Sequence, residues 1–211
     1  CIYIRSPQGV GKSIITEFLQ MKVIGQHLVY ITQNPKCIAG GFNSQLAGRT
    51  MLVLEELPSM SKGQWLSLGN WIKHYVTSST IEIEAKCKDA QECMNLMSII
   101  LMSNNNAIKV DCDDRRFVML DISYERIGDV KYFKDLCRVL QNDTVGEAFF
   151  WYCNEHAAMN SDFNESLRPN TKAKQELILQ NLHSVYKFIK EYFILKKKGI
   201  NLLYKKFREQ Y

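Results

Sequence analysis

The residues whose types and spacing could do chemistry begin with the run Ser6-Pro7-Gln8-Gly9-Val10-Gly11-Lys12-Ser13. Gly9 and Gly11 allow a tight turn with inward-pointing N–H groups, and a helix opening at Lys12 adds the positive end of its dipole. Such a loop cradles a triphosphate. Gln8, Gly9, Val10, Gly11, Lys12 and Ser13 form the candidate nucleotide-binding set, with Lys12 reaching the β- and γ-phosphates and the Ser13 hydroxyl holding Mg²⁺. The pattern G-x-x-x-x-G-K-[ST] begins with Gly where this chain has Ser6, a substitution that a small residue with negative φ can fill. A second set lies at Glu55-Glu56, where one carboxylate can enter the Mg²⁺ shell and its neighbour, free of the metal, can polarise an attacking water. Asn104 is a candidate to orient that water.

These residues need a scaffold that brings them to one edge. The apolar run Ile2-Tyr3-Ile4 enters the glycine loop and an amphipathic run, Ile14 to Met21, leaves it, so the context is strand, loop, helix. Leu28 to Thr32 reads as a second strand, and Asn34 to Gly48 as a loop with one short helical turn. Met51-Leu52-Val53-Leu54 is all apolar, as a strand covered on both faces requires, and it ends in the two carboxylates. Lys62 to Tyr75 has helical periodicity; Thr80 to Ala85 alternates strictly and leads into a turn at Lys86-Cys87-Lys88-Asp89. Met97 to Met102 and Phe117 to Asp121 are two more strands. The rest is helical in pattern over Val130–Leu140, Val145–His156 and Lys172–Phe193, with a boundary at Pro169. The expected fold is α/β, with five parallel strands between helices and functional groups at the strands' C-terminal edge.

Composition adds few constraints. The chain has 211 residues, 46% hydrophobic and 23% charged, with no apolar run near the ~20 residues of a membrane span and no signal-peptide pattern. It reads as soluble and intracellular, without a membrane partner. It starts at Cys1 within the first apolar run, so a longer parent protein is expected. Seven scattered cysteines without C-x-x-C spacing read as reduced thiols rather than a metal site. Of the net charge of +5, residues 181–211 contribute eight Lys and Arg against two Glu, leaving the remainder near neutral. That basic tail is either a nucleic-acid or partner surface or the solvated face of a packed helix.

The order of motifs resembles the superfamily 3 helicases of DNA viruses and mobile elements. The likeness runs from Gln8–Ser13 through Leu54-Glu55-Glu56 to a third motif at Ser103-Asn104-Asn105, with 43 residues from Lys12 to Glu55 and 49 from Glu55 to Asn104. It is similar in particular to the poxvirus-like and phage or plasmid primase-helicase branch. Asp114-Arg115-Arg116-Phe117-Val118 and Pro169-Asn170-Thr171 stand where that branch has related runs. Ile81 to Asp89 stands where it has a DNA-contacting hairpin. The departures are Ser6 for Gly, and Glu55 where much of the wider class has Asp, which makes metal contact through water the expectation.

The resemblance implies an AAA+-like P-loop ATPase core over residues 1–125. It further implies a helical region over 126–170 and a basic helical segment over 171–211, a winged helix being one arrangement of the C-terminal part. It implies ATP and Mg²⁺ as cofactors, a hexameric ring around single-stranded or duplex DNA, a primase domain upstream, and work at a viral replication site. Arg115, with Arg116 as the alternative, would be an arginine aimed at the γ-phosphate of a neighbouring copy. Lys86 and Lys88, projecting from one side of the hairpin, would meet the nucleic-acid backbone without reading bases. Three other readings compete: a nucleic-acid binding or assembly module without turnover, an RNA helicase, and a small-molecule kinase, for which no arginine-bearing lid is evident.

Overall fold

A computed structural model describes residues 1–57, 60–104, 114–162, 169–181 and 184–191. Five strands form one parallel sheet: β1 (Ile2–Arg5), β2 (Val29–Thr32), β3 (Met51–Leu54), β6 (Ser98–Ser103) and β7 (Val118–Asp121). Their order across the sheet is β2-β3-β6-β1-β7, so β6 is inserted between the strand that feeds the glycine loop and the strand that ends in the carboxylates. Every pairing is parallel, and all five C-terminal ends therefore face one edge.

Side-chain alternation explains why the strands lack a polar face. Tyr3, Leu52, Leu54, Ile99, Leu101 and Met119 bury on one side of the sheet, where α2 (Lys36–Ala39), α3 (Lys62–Thr77) and α6 (Lys172–Asn181) supply Cys37, Ile38, Leu68, Ile72 and Leu177. Val29, Val53, Ile100 and Met102 bury on the other, against Ile24. A strand sandwiched on both faces must be apolar throughout, which is why β3 and β6 read as continuous runs. Ser61 starts α3 with a capping box: its hydroxyl accepts from Gln64 N at 3.3 Å and its N–H donates to Gln64 Oε1 at 2.8 Å.

The helix after the loop departs from expectation. α1 (Lys12–Phe18) widens without a break into a π-helical stretch, Leu19–Ile24. α4 (Val130–Leu140) matches the expected span; α5 (Asp143–Met159) is longer at both ends, with Asn142 accepting from Thr144 N as cap. α5 lies on the π-helical stretch, with Phe149 edge-on to Phe18 at 5.6 Å between centroids. The expected helix 172–193 is α6 followed by α7 (Ser184–Ile189). Residues 192–211, most of the basic tail, lie outside the described residues, as do Asn105 and Asp113. Among the described residues no helix is long and apolar enough to cross a membrane.

Outside the main sheet, β4 (Thr80–Ile83) and β5 (Gln91–Met94) form an antiparallel hairpin. Asn43, 7% exposed, fastens it: Nδ2 donates to Glu82 O at 2.8 Å and to the Tyr75 hydroxyl at 3.2 Å, and Oδ1 accepts from Glu84 N at 2.6 Å.

Two helical glycines separate packing from propensity. A Cβ at Gly146 of α5 would sit 2.4 Å from Lys22 O, a backbone atom, whereas one at Gly63 of α3 would meet open space. Gly146→Ala is expected to cost about 1–3 kcal/mol through overpacking. Gly63→Ala should gain about 0.5 kcal/mol from helix propensity. Denaturant unfolding of both variants checks the pair; equal effects would contradict the close approach of α5.

Candidate functional site

The site is built by strand order. Because Arg5 pairs with Ser103 and Leu54 with Leu101, the chain leaves β1, β6 and β3 side by side, placing the glycine loop, Asn104 and Glu55-Glu56 along one edge. Ser6 N donates to Ser103 O at 3.3 Å, locking the loop's first residue to the end of β6. Ser6 is 3% exposed, and it is absent from the positive-φ non-glycine residues, which among the described residues are Glu56 and Cys87. A serine therefore fits where the pattern has glycine, as the sequence suggests.

Gly9 and Gly11 adopt φ of 82° and 83°, a region that glycine enters without steric cost. Gly11 has a second constraint. Its Cβ position lies 2.6 Å from Phe133 Cε1, so α4 closes directly over the start of α1.

Lys12 Nζ donates to Ser6 O at 2.9 Å, Pro7 O at 3.1 Å and Asn104 Oδ1 at 2.5 Å. Its ammonium lies between the loop and the end of β6. Burial lowers its pKa, an effect opposed by the charges of Glu56 and Glu55. The Ser13 hydroxyl donates to Glu55 Oε2 at 3.0 Å. Thr16, fully buried one turn further on, donates to Glu55 Oε1 at 3.3 Å and to Ser13 O at 3.0 Å.

The two carboxylates diverge. Glu55 points into the loop helix, while Glu56, at φ 47°, turns away and accepts from Gln33 Nε2 at 3.3 Å. A non-glycine residue with positive φ stores strain, which concentrates at functional positions. An open cleft of about 620 Å³ lies beside them, lined by Thr32, Gln33, Asn34, Pro35 and Glu55. The donor set of a hydroxyl and carboxylate oxygens, with one ammonium alongside, suits a hard divalent cation together with a polyanion.

The remaining sequence-derived residues are elsewhere. Arg115 is exposed and Arg116 half-buried, with Arg116 Nε enclosed and lacking a hydrogen-bond partner. Arg116 does not form an ion pair with Asp114; its backbone N–H donates to Asp114 Oδ1 at 2.8 Å, and the carboxylate pairs instead with Lys73 at 3.1 Å. Lys73, which belongs to no motif, thus holds a buried charge. Lys86 and Lys88 are exposed on the hairpin turn. Cys87 between them has φ 60°, so strand alternation gives no ground for deciding on which side the two lysines project. Thr16, Gln33 and Phe133 carry no motif signal, because each acts through a contact distant in sequence.

Fold and site define an α/β protein with a glycine loop, a lysine and two carboxylates at the C-terminal edge of a parallel sheet. The chain belongs to DUF5906, a family of unknown function, whose model matches residues 4–116, from β1 to Arg116. No curated protein matches it. Among solved structures, it is similar to the C-terminal region of NrS-1. One apo structure of that region matches with TM-score 0.68 and 14% identity over 99% of this chain, another with 0.66 and 15% over 90%. The chain spans 53% and 44% of those two chains, and the likeness is one of fold.

The loop geometry is directly testable. Gly11→Ala combines positive φ with a clash against Phe133 and should destabilise by about 1–3 kcal/mol; Gly9→Ala, with the same φ in open space, should cost about 1 kcal/mol. Chemical denaturation of the two variants checks the order, and an unaffected Gly11→Ala protein would contradict the packing of α4 on the loop.

Proposed function

We propose that the chain is the ATP-hydrolysing motor of a replicative DNA helicase of the superfamily 3 kind, acting at subunit interfaces of a ring. The observation that carries this reading is the convergence of Lys12, Ser13, Glu55, Glu56 and Asn104 at the ends of three adjacent parallel strands. A fold shared with the C-terminal region of NrS-1 supports it, as does the motif order. On this reading, residues 1–125 are a P-loop core of AAA+ type, 126–170 the helical region that α4 and α5 lay over the loop helix, and 171–211 a basic extension.

The chain's own groups divide the work. Lys12 exchanges the carbonyls of Ser6 and Pro7 for β- and γ-phosphate oxygens, while the loop N–H groups and the start of α1 favour the same anion. Ser13 and Glu55 would hold Mg²⁺, Glu55 through water; when bound, the ion neutralises charge on the phosphates. Glu56, turned out of the metal position and held by Gln33, is the carboxylate available to take a proton from the attacking water. Asn104 commits Oδ1 to Lys12, so its amide N–H₂ is the remaining donor to orient substrate or water. Arg115, exposed where Arg116 is half-buried with its Nε enclosed, is the better candidate to reach a neighbouring copy's γ-phosphate and stabilise the transferring group. Lys86 and Lys88 carry positive charge to the hairpin tip, fit for a phosphate backbone and blind to sequence.

Glu56→Gln in the full-length protein should cut ATP turnover by about 10²–10⁴-fold while leaving nucleotide binding intact. Retained turnover would remove Glu56 from its role. Absence of turnover in the unmutated assembly would favour a binding or assembly module instead.

Lys86→Ala with Lys88→Ala should abolish stimulation of the ATPase by single-stranded DNA and flatten its salt dependence. The same assay on single-stranded RNA decides the track; stimulation that survives the double change would place the contact elsewhere.

A further inference from the structure

Of the buried polar side chains Ser6, Thr16, Asn43 and Asp114 among the described residues, only Asp114 carries a charge. Its side chain is 2% exposed and pairs with Lys73 Nζ at 3.1 Å. Its other oxygen accepts from Arg116 N at 2.8 Å, so the carboxylate fixes the backbone on both sides of Arg115. Lys174 Nζ of α6 donates to the Asp114 carbonyl, and Thr171 Oγ1 donates to Met119 O at 2.6 Å, which braces the same segment from a second helix.

Lys73 lies near the C-terminal end of α3, and that end is fastened to the hairpin. Asn95, just after β5, donates through Nδ2 to Tyr75 O at 2.6 Å and Ser78 O at 2.8 Å, while its N–H donates to Ser79 O at 2.8 Å. Asn43 ties the Tyr75 hydroxyl to β4 at Glu82. Polar contacts therefore tie the hairpin to the last turn of α3, the helix carries the connection to Lys73, and Lys73 pairs with Asp114, the chain neighbour of Arg115.

We propose that Lys73 and Asp114 are positioning residues that couple the β4–β5 hairpin to Arg115, so that nucleic acid held at Lys86 and Lys88 sets the placement of Arg115 for hydrolysis. This rests on the reading of the chain as a nucleic-acid-stimulated ATPase. The physical ground is the cost of separating the pair: a carboxylate enclosed in a medium of low dielectric cannot leave its ammonium without becoming an unpaired buried charge. α3 and the Asp114-Arg115-Arg116 segment must then shift as one body. A staple needed for stability alone could be apolar, since replacing a buried ion pair by hydrophobic residues is often neutral. An ion pair joins two segments in one defined geometry.

The test is ATPase activity of the full-length assembly with and without single-stranded DNA, in Lys73→Met, in Lys73→Arg, and in Lys73→Met combined with Asp114→Asn. The combined change removes both charges of the Lys73–Asp114 pair, so it decides the matter if Lys73→Met alone fails to fold. Basal rate and KM for ATP should stay within about twofold, while stimulation falls about fivefold or more in both variants lacking the pair and survives in Lys73→Arg. Full stimulation in the folded double variant overturns the coupling. Equal loss of basal and stimulated rates in all three overturns it too, since that is general disruption. A wild-type assembly without DNA stimulation overturns both this proposal and the reading beneath it, whereas a stimulated wild type with an unaffected double variant overturns the coupling alone.

Discussion

β6 is hydrogen-bonded on both sides, to β1 from Ile100 to Ser103 and to β3 from Ser98 to Leu101, and it is buried on both faces. A strand held in that way has one register, because a one-residue slip of about 3.3 Å would turn its whole apolar set to the opposite face. The same slip would carry Asn104 away from Lys12 and break the alignment of Ser103 with Arg5. The geometry of this edge is consequently set by side chains that lie in the core. Ile99, Leu101 and Met102 position Asn104 as surely as its own rotamer does.

The helical region depends on that edge as well. Phe133 of α4 lies against Gly11, and Gly146 of α5 admits the backbone of Lys22, so two glycines in different elements permit the region to sit close to the loop helix. Phe149 against Phe18 adds apolar contact to that interface. The widening of α1 into a π-helical stretch occurs where α5 crosses it, in keeping with the tendency of such stretches to appear at functional segments rather than in uniform helix. Loop and helical region are therefore parts of one packing unit.

Much of this was legible in the residues. The apolar runs at Met51–Leu54 and Met97–Met102 announce doubly covered strands, and Gly9 and Gly11 announce a loop with left-handed backbone, because burial and φ act through local residue type. Strand order was not legible, since nothing in a strand's own sequence names its neighbours. Nor were Thr16, Gln33 and Lys73, whose roles are contacts across 39, 23 and 41 residues. The side on which Lys86 and Lys88 project was not legible for a different reason: alternation holds only where the backbone stays extended, and Cys87 between them stands at φ 60°.

Lys12 offers a last consequence, in the heat of association. Its ammonium has three donors and already three acceptors, Ser6 O, Pro7 O and Asn104 Oδ1. On the proposed reading, an arriving anion therefore exchanges hydrogen bonds with the loop instead of adding to them. The enthalpy gained at this residue is the difference between charged and neutral acceptors, roughly a doubling per bond and not the full bond. Discrimination at the lysine then follows the formal charge of the ligand more closely than its number of oxygens.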